Sequence, residues 1–283
     1  MFIFAMMKVQ LEKILSQGSV NFFIRESSQF RPYWHYHPEI EITLITKGKG
    51  FRFVGDSILP YAENDLVIIG ENTPHQWVSS NATATKFQQA YVIQFKKELF
   101  QSFKECYPLE ALFKESERGI QLLGGKSKII SVITSFQNAT GIQKISLLFE
   151  LLNQLVGHKE KLFLSSTKYK HPLNVRDERF AKINNYILNH LDKKLSVEHI
   201  AEQCNMVPQS FCRWFKKCSG HSFISFVNIM RIEMVCQSLI NTGKSIQDIA
   251  LNSGFENVSH FNRTFKSLKK MTPTQFRKAS QCM

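Results

Sequence analysis

A chain of 283 residues with 43% hydrophobic residues and 24 Phe has the apolar material for about two cores, which excludes a disordered polypeptide. Its six Cys contain no C-x-x-C pair, so they supply no zinc or disulfide framework and fit a reducing cytosol. The net charge of +13 is densest in residues 174–283, where 16 Lys/Arg stand against 8 Asp/Glu, a bias that suits contact with phosphates. No run approaches the roughly 18–20 apolar residues of a membrane span. The apolar start Met1–Met7 ends at Lys8, too short for a secretory core, and reads as a leading segment or an upstream start. A cytoplasmic protein without a membrane partner is expected.

From Val20 to Phe95 the pattern is one of short strands. Ile40–Ile45 alternates apolar and polar residues before Gly48 and Gly50, and Phe51–Val54 repeats the alternation. Asp65–Ile69 and Ala90–Phe95 add further strands between closely spaced turns, which favours a barrel or sandwich. Helical periodicity follows: Leu99, Phe100 and Phe103 open it, and a helix from Lys128 carries Ile129, Ile130, Ile133 and Phe136. Another, Ile142–Val156, aligns Ile145, Leu148, Phe149, Leu152 and Leu155 in one stripe, which either covers the barrel or pairs two chains as a homodimer. His158–Asn174, rich in Lys and Ser with Pro172, reads as a linker. The domains are therefore 1–157, a linker at 158–174, and 175–283. A helix over Arg179–Leu191 opens the last of these, with Ile183, Tyr186, Ile187 and Leu191 on one side.

The remaining residues write one pattern twice. Leu195–Ala201 turns at Asn205 and continues through Phe211, Arg213 and Phe215; Ser245–Ala250 turns at Gly254 and continues through Phe261, Arg263 and Phe265. In each copy an Ala lies four residues before a residue that tolerates positive φ, as two closely crossing helices require. Ser196 and Asn257 are N-caps, and Pro208 suits a first helical turn. On the first copy Phe211 and Phe215 turn inward, leaving Gln209, Ser210, Cys212, Arg213, Lys216 and Lys217 outside. On the second, Val258, Phe261, Phe265 and Leu268 turn inward, leaving Ser259, His260, Asn262, Arg263 and Lys266 outside. Polar residues early in such a helix can bond base edges and the lysines can meet phosphates. A solvated helix face is the bland alternative for Arg213 and Arg263, and the doubling argues against it. Phe223–Ile240 joins the two copies as one rigid helix of about 27 Å.

Leu195–Ala279 resembles the DNA-binding domain of the AraC family of bacterial transcription regulators. The resemblance is carried by Gly254–Phe255, Ser259–Lys266, Met271–Pro273 and Phe276–Arg277, with Ser210–Lys217, Gly220 and Phe223 as the counterpart in the first half. It implies seven helices, two of them recognition helices that enter successive major grooves of promoter DNA about 34 Å apart. It also implies a small-molecule effector, RNA polymerase as partner if the protein is an activator, and activation as the commoner sign. Asn205 stands where the family usually has Gly, and Cys212 at an outward position could alter base preference.

In the N-terminal half, His35, His37, Glu41 and Gly48 fit the first cupin motif, H-x-H-x3-E-x6-G, and Asp65–His75 resembles the second. Alternate strand residues share a face, so His35 and His37 can point inward together. In cupin enzymes the three His and the Glu converge on one metal; Fe, Mn, Ni or Zn would suit His35, His37, Glu41 and His75. The second motif departs from the pattern at Asn64, Gly70 and Asn72, which bears on turn shape. AraC-type regulators often carry degenerate cupins that need no metal, so no cofactor is required. An effector cavity would draw on Arg25, Tyr33, Trp34, His35, His37, Arg52, His75 and Trp77, whose aromatic faces and few polar anchors suit a sugar.

The expected molecule is an α+β multidomain protein: an N-terminal cupin-like β-barrel with trailing helices, then an all-α double helix-turn-helix. The expected function is effector-responsive, sequence-specific DNA binding without enzymatic activity. Its rivals are a metal-dependent cupin enzyme with a helical assembly domain, and a metal-sensing regulator.

Overall fold

The computed structural model describes residues 10–11, 18–31, 33–79, 87–166 and 178–281. They fall into two units, Met7–Arg176 and Asp177–Met283. The first is built on strands β1 (Gln10–Leu11), β2 (Val20–Ser27), β3 (His35–Tyr36), β4 (Ile40–Lys47), β5 (Gly50–Val54), β6 (Ser57–Tyr61), β7 (Leu66–Ile69), β8 (His75–Ser79), β9 (Gln88–Phe95), β10 (Ile120–Leu122) and β11 (Lys161–Phe163). One sheet runs β1-β3-β8-β5-β6 and the other β11-β10-β7-β4-β9-β2. Every pair is antiparallel except β1 with β3.

The sequence of β4 explains the layering. Ile40, Ile42 and Leu44 point to one side, where they join Val20, Leu66, Ile68, Ile93 and Phe95 in a core covered by three helices. These are α1 (Pro108–Ser116), α2 (Ser127–Ser135) and α3 (Ile142–Gly157). Glu41, Thr43 and Ile45 take the other face; Ile45 packs there with Ala90, Val92 and Tyr61 of the second sheet. With both faces covered, all of Ile40–Ile45 is buried, including its two polar residues.

The α3 stripe is spent on this core. Leu148, Leu152 and Leu155 are buried and Ile145 and Phe149 pack against them, so the stripe covers the sheet and is not the open dimer face considered above. The expected linker is also corrected. Its start holds β11, which pairs with β10, so 158–166 belongs to the first unit, while 167–174 lies outside the described residues. Residues 1–9, including the leading segment, also lie outside them.

The second unit is helical: α4 (Glu178–Asn189), α5 (Val197–Gln203), α6 (Pro208–Ser219), α7 (Phe223–Asn241), α8 (Ile246–Asn252), α9 (Val258–Lys269) and α10 (Pro273–Gln281). Phe180, Ile183, Ile187 and Leu191 are buried along and just beyond α4. The central α7 touches α6, α8, α9 and α10. It is apolar nearly all round, as a helix enclosed by others must be: Phe226, Val227, Met230, Ile232, Val235 and Leu239 are each under 5% exposed. By length and composition alone its stretch Phe223–Ile240 could cross a membrane, which corrects the expectation that no run comes near that length. Its burial makes it a core helix.

Candidate functional site

Both helix-turn-helix pairs form, and the same local devices build them. Asn205 and Gly254 take positive φ, 53° and 84°. Behind each, the chain folds back onto the preceding Ala: Met206 N–H donates to the Ala201 carbonyl at 2.9 Å, and Phe255 N–H to that of Ala250 at 3.3 Å. Ala201 and Ala250 are fully buried, as the helix crossing demands. At Gly254 a Cβ would lie 2.1 Å from the Leu191 carbonyl oxygen, so only glycine fits. Ser196 caps α5 through the His199 N–H, and Asn257 caps α9 through the His260 N–H at 2.7 Å.

Each second helix divides its faces as its spacing predicts. On α6, Phe211 and Phe215 are buried and stack edge-on with Phe223 and Phe226, while Gln209, Cys212, Arg213, Lys216 and Lys217 are exposed and Ser210 is half-buried. On α9, Phe261 and Phe265 are buried beside Phe255 and Phe276, and Ser259, Asn262, Arg263 and Lys266 are exposed, with His260 half-buried. Leu268, expected inside, is 40% exposed. It lies two residues before the left-handed residue Lys270, where the helix ends beyond the edge of the core. The lysines sit in the last turns of both helices, where they complement the helix dipole as well as offering charge to phosphates.

A second constellation lies between the sheets of the first unit. One sheet supplies Glu41, opposite Gln94 in the β4–β9 register; the other supplies His35 opposite His75 in the β3–β8 register. His37 follows β3. One ligand atom from each of His35, His37, Glu41 and His75 lies within 4.8 Å of the others, and all four residues are buried. Each imidazole is tethered through Nδ1, to the carbonyl oxygens of Tyr33 (2.8 Å), Glu39 (3.0 Å) and Thr73 (2.8 Å). With Nδ1–H donating outward, a neutral ring turns its Nε2 lone pair toward the cluster, the tautomer a metal requires.

The cluster sets one carboxylate among three imidazoles. His37 Nε2 lies 3.1 Å and His75 Nε2 3.7 Å from the Glu41 oxygens, and His75 Nε2 has no hydrogen-bond partner. Burial, reinforced by His75, pushes the His35 imidazole well below its ordinary pKa. Burial alone would raise the Glu41 carboxyl, but His75 and His37 outweigh it and hold it well below the carboxylate range. Thr43 Oγ1 (2.5 Å) and Gln94 Nε2 (2.8 Å) donate to Glu41 and fix its orientation. Neither was foreseen, although Gln94 stands out as a polar residue in the apolar run Tyr91–Phe95. Asn64 and Asn72, the departures from the second cupin motif, both adopt positive φ and so keep glycine-like turns.

A cavity of about 580 Å³ reaches this cluster at His35 and Glu41. Arg25, Tyr33 and Trp77 line it, as expected. Trp34 and Arg52 do not: Trp34 is buried elsewhere, and the Arg52 guanidinium is committed to Asp65 and Gln121. His37 and His75 are outside its wall. Ser27–Arg31 completes the wall, a segment whose sequence carries no such signal.

Comparison with known proteins adds the following. The family described as "Helix-turn-helix domain" matches residues 200–279. An uncharacterized HTH-type transcriptional regulator of Staphylococcus aureus (strain COL) is 26% identical over 157 residues, 56% of this chain and 20% of that protein. The bifunctional transcriptional activator/DNA repair enzyme AdaA of Bacillus subtilis (strain 168) is 33% identical over 99 residues, 35% of this chain and 47% of AdaA. The chain thus spans a fifth of the staphylococcal relatives' length and under half of AdaA's. The C-terminal domain of AraT, a response regulator from Geobacillus stearothermophilus, is 28% identical with a TM-score of 0.35, over 36% of this chain and 86% of that one. Residues 200–279 are thus a helix-turn-helix domain of the AraC type, similar to that of the transcriptional regulators above.

Proposed function

We propose that the chain regulates transcription by reading promoter DNA with α6 and α9, under the control of a small molecule held between the sheets of its first unit. The observation that carries the reading is the repeated division of faces: two helices with buried Phe pairs, each presenting an Arg and basic residues to solvent. Arg213 and Arg263 are the foremost base or phosphate contacts, Gln209 and Asn262 the neutral base readers, and Lys216, Lys217 and Lys266 the phosphate contacts. Footprinting on the DNA flanking the chain's own gene tests this. A discrete protected site that weakens steeply with salt supports it, and diffuse binding unaffected by Arg263→Ala overturns it. Activation, through contact with RNA polymerase, is the sign the family resemblance favours.

The effector reading draws on the cavity beside His35, with its aromatic wall of Tyr33, Phe30 and Trp77 and a rim bearing Arg25 and Arg31. A second reading, metal sensing, is favoured by the bare His75 Nε2 and the three outward-tethered imidazoles. His35, His37, Glu41 and His75 would hold a divalent transition ion, for which three imidazole nitrogens and one carboxylate are a suitable donor set. The rival reading as a cupin enzyme predicts turnover that survives Arg213→Ala and Arg263→Ala. The regulator reading predicts that these two substitutions remove the function.

A further inference from the structure

We propose that Asp56 and the Ser165–Ser166 pair form a clasp that reports the state of the His75 cluster to the chain segment leading toward the helical unit. The proposal rests on the reading of the inter-sheet site as a sensor. Asp56 sits at the β5–β6 turn. One of its carboxylate oxygens accepts from Ser165 Oγ at 2.7 Å and from Ser166 N–H at 2.8 Å; the other accepts from Ser166 Oγ at 2.6 Å. These bonds close a loop of 110 residues, and Ser166 precedes the start of α4 at Glu178 by 12 positions in the chain.

A second grip holds the same point. Ser165 N–H donates to the Arg118 carbonyl at 2.7 Å, Arg118 Nε donates back to the Ser165 carbonyl at 3.0 Å, and the Arg118 guanidinium covers the Phe163 ring. Ser165 is 3% exposed although it carries a hydroxyl at the edge of the unit.

Both grips trace back to the loop that carries His75. On one side, Gly55 N–H, next to Asp56, donates to the Pro74 carbonyl at 2.9 Å, and Val54 pairs with His75 itself. On the other, Thr73 Oγ1 donates to the Glu117 carbonyl at 3.1 Å and Gly70 N–H to that of Ser116 at 2.7 Å, immediately before Arg118. The Thr73 carbonyl is also the acceptor that tethers His75 Nδ1. Thr73–Pro74 is the element that both grips share, and on this proposal a partner gained at His75 Nε2 acts on it through the Nδ1 bond to the Thr73 carbonyl. The structure shows the clasp closed, and the proposal is that it also takes a released state, as transmission through a packed structure requires.

The test uses the full chain and two substitutions, His75→Gln in the cluster and Asp56→Ala in the clasp, singly and combined. Hydrogen exchange at the Ser166 amide is the first readout. Its rate is expected to change at least fivefold in His75→Gln, with the amides of α9 unchanged; an unchanged Ser166 rate overturns the clasp without reference to DNA. Affinity for the footprinted site is the second readout. His75→Gln is expected to shift it at least fivefold in the natural chain and less than twofold in the Asp56→Ala background. An equal shift in both backgrounds, or no shift in either, overturns the proposal. If His75→Gln fails to fold, Zn2+ added to the natural and Asp56→Ala chains replaces it, with the same amide and the same two outcomes. Absence of any discrete DNA site removes the regulator reading, and the exchange result still decides the clasp.

Discussion

In the first unit the imidazoles of His35, His37 and His75 and the Glu41 carboxylate lie inside, between two sheets, all under 10% exposed. In the second unit the residues of interest lie outside: Arg213, Lys217, Asn262 and Arg263 are exposed, while the same helices bury phenylalanines. The contrast follows from what each proposed partner demands. Duplex DNA is a large polyanion that must be met at a surface, so charge there can stay hydrated until binding. A small ligand or ion is best held where water is excluded and donors cannot relax away, which requires burying polar groups and tethering each one. Removing an exposed side chain should therefore cost function without fold, and removing a buried one should cost both.

The largest effect expected is on the inside of the outward-facing unit. Phe261→Ala, at a fully buried site, should cost on the order of 3–5 kcal/mol of stability, read as a loss of cooperative unfolding or a large fall in Tm. Retention of the native Tm would break the account of α9. Next, if the cluster takes an ion, Zn2+ or Ni2+ at about a hundred times its Kd should stabilise the first unit by about 2.7 kcal/mol, and His75→Ala should abolish the shift. Arg213→Ala and Arg263→Ala should each weaken operator binding by about 1–3 kcal/mol, roughly five- to 150-fold, and leave stability within about half a kcal/mol. A fall in Tm comparable with that of Phe261→Ala would place these arginines in the fold instead. The smallest effect sharpens the comparison of the two turns: Asn205→Gly should be neutral or gain up to about 1 kcal/mol, because Asn205 already holds a φ of 53°. Gly254→Asn should be destabilising, since its Cβ has no room beside Leu191.

The two units also differed in how much of them could be read beforehand. The helical unit was legible down to side-chain faces because a 3.6-residue period, two caps and two turn residues all agree within twelve or so positions. Leu268 escaped because the period says which side a residue takes and not where the core stops. In the β unit, His35, His37, Glu41 and His75 were legible through motif spacing, yet Thr43 and Gln94, which hold Glu41, belong to register across strands that a single sequence does not display. Arg52 looked like a polar anchor of the effector cavity, but Asp65, thirteen residues on and across the sheets, claims it. The short strands β10 and β11 have no alternation long enough to register, and α1 begins at a proline after two short helical turns that blur its start. Asp56, Ser165 and Ser166 carried no sequence signal, because their meaning lies in a contact made across 110 residues.

The central claim is that one chain reads two adjacent grooves with α6 and α9, and hydroxyl-radical footprinting of the natural chain beside Arg213→Ala and Arg263→Ala tests it most directly. The account predicts two protected windows about one helical turn apart, roughly 10 base pairs, with each substitution fading a different window. A single window, or two windows that fade together whichever arginine is removed, would contradict it.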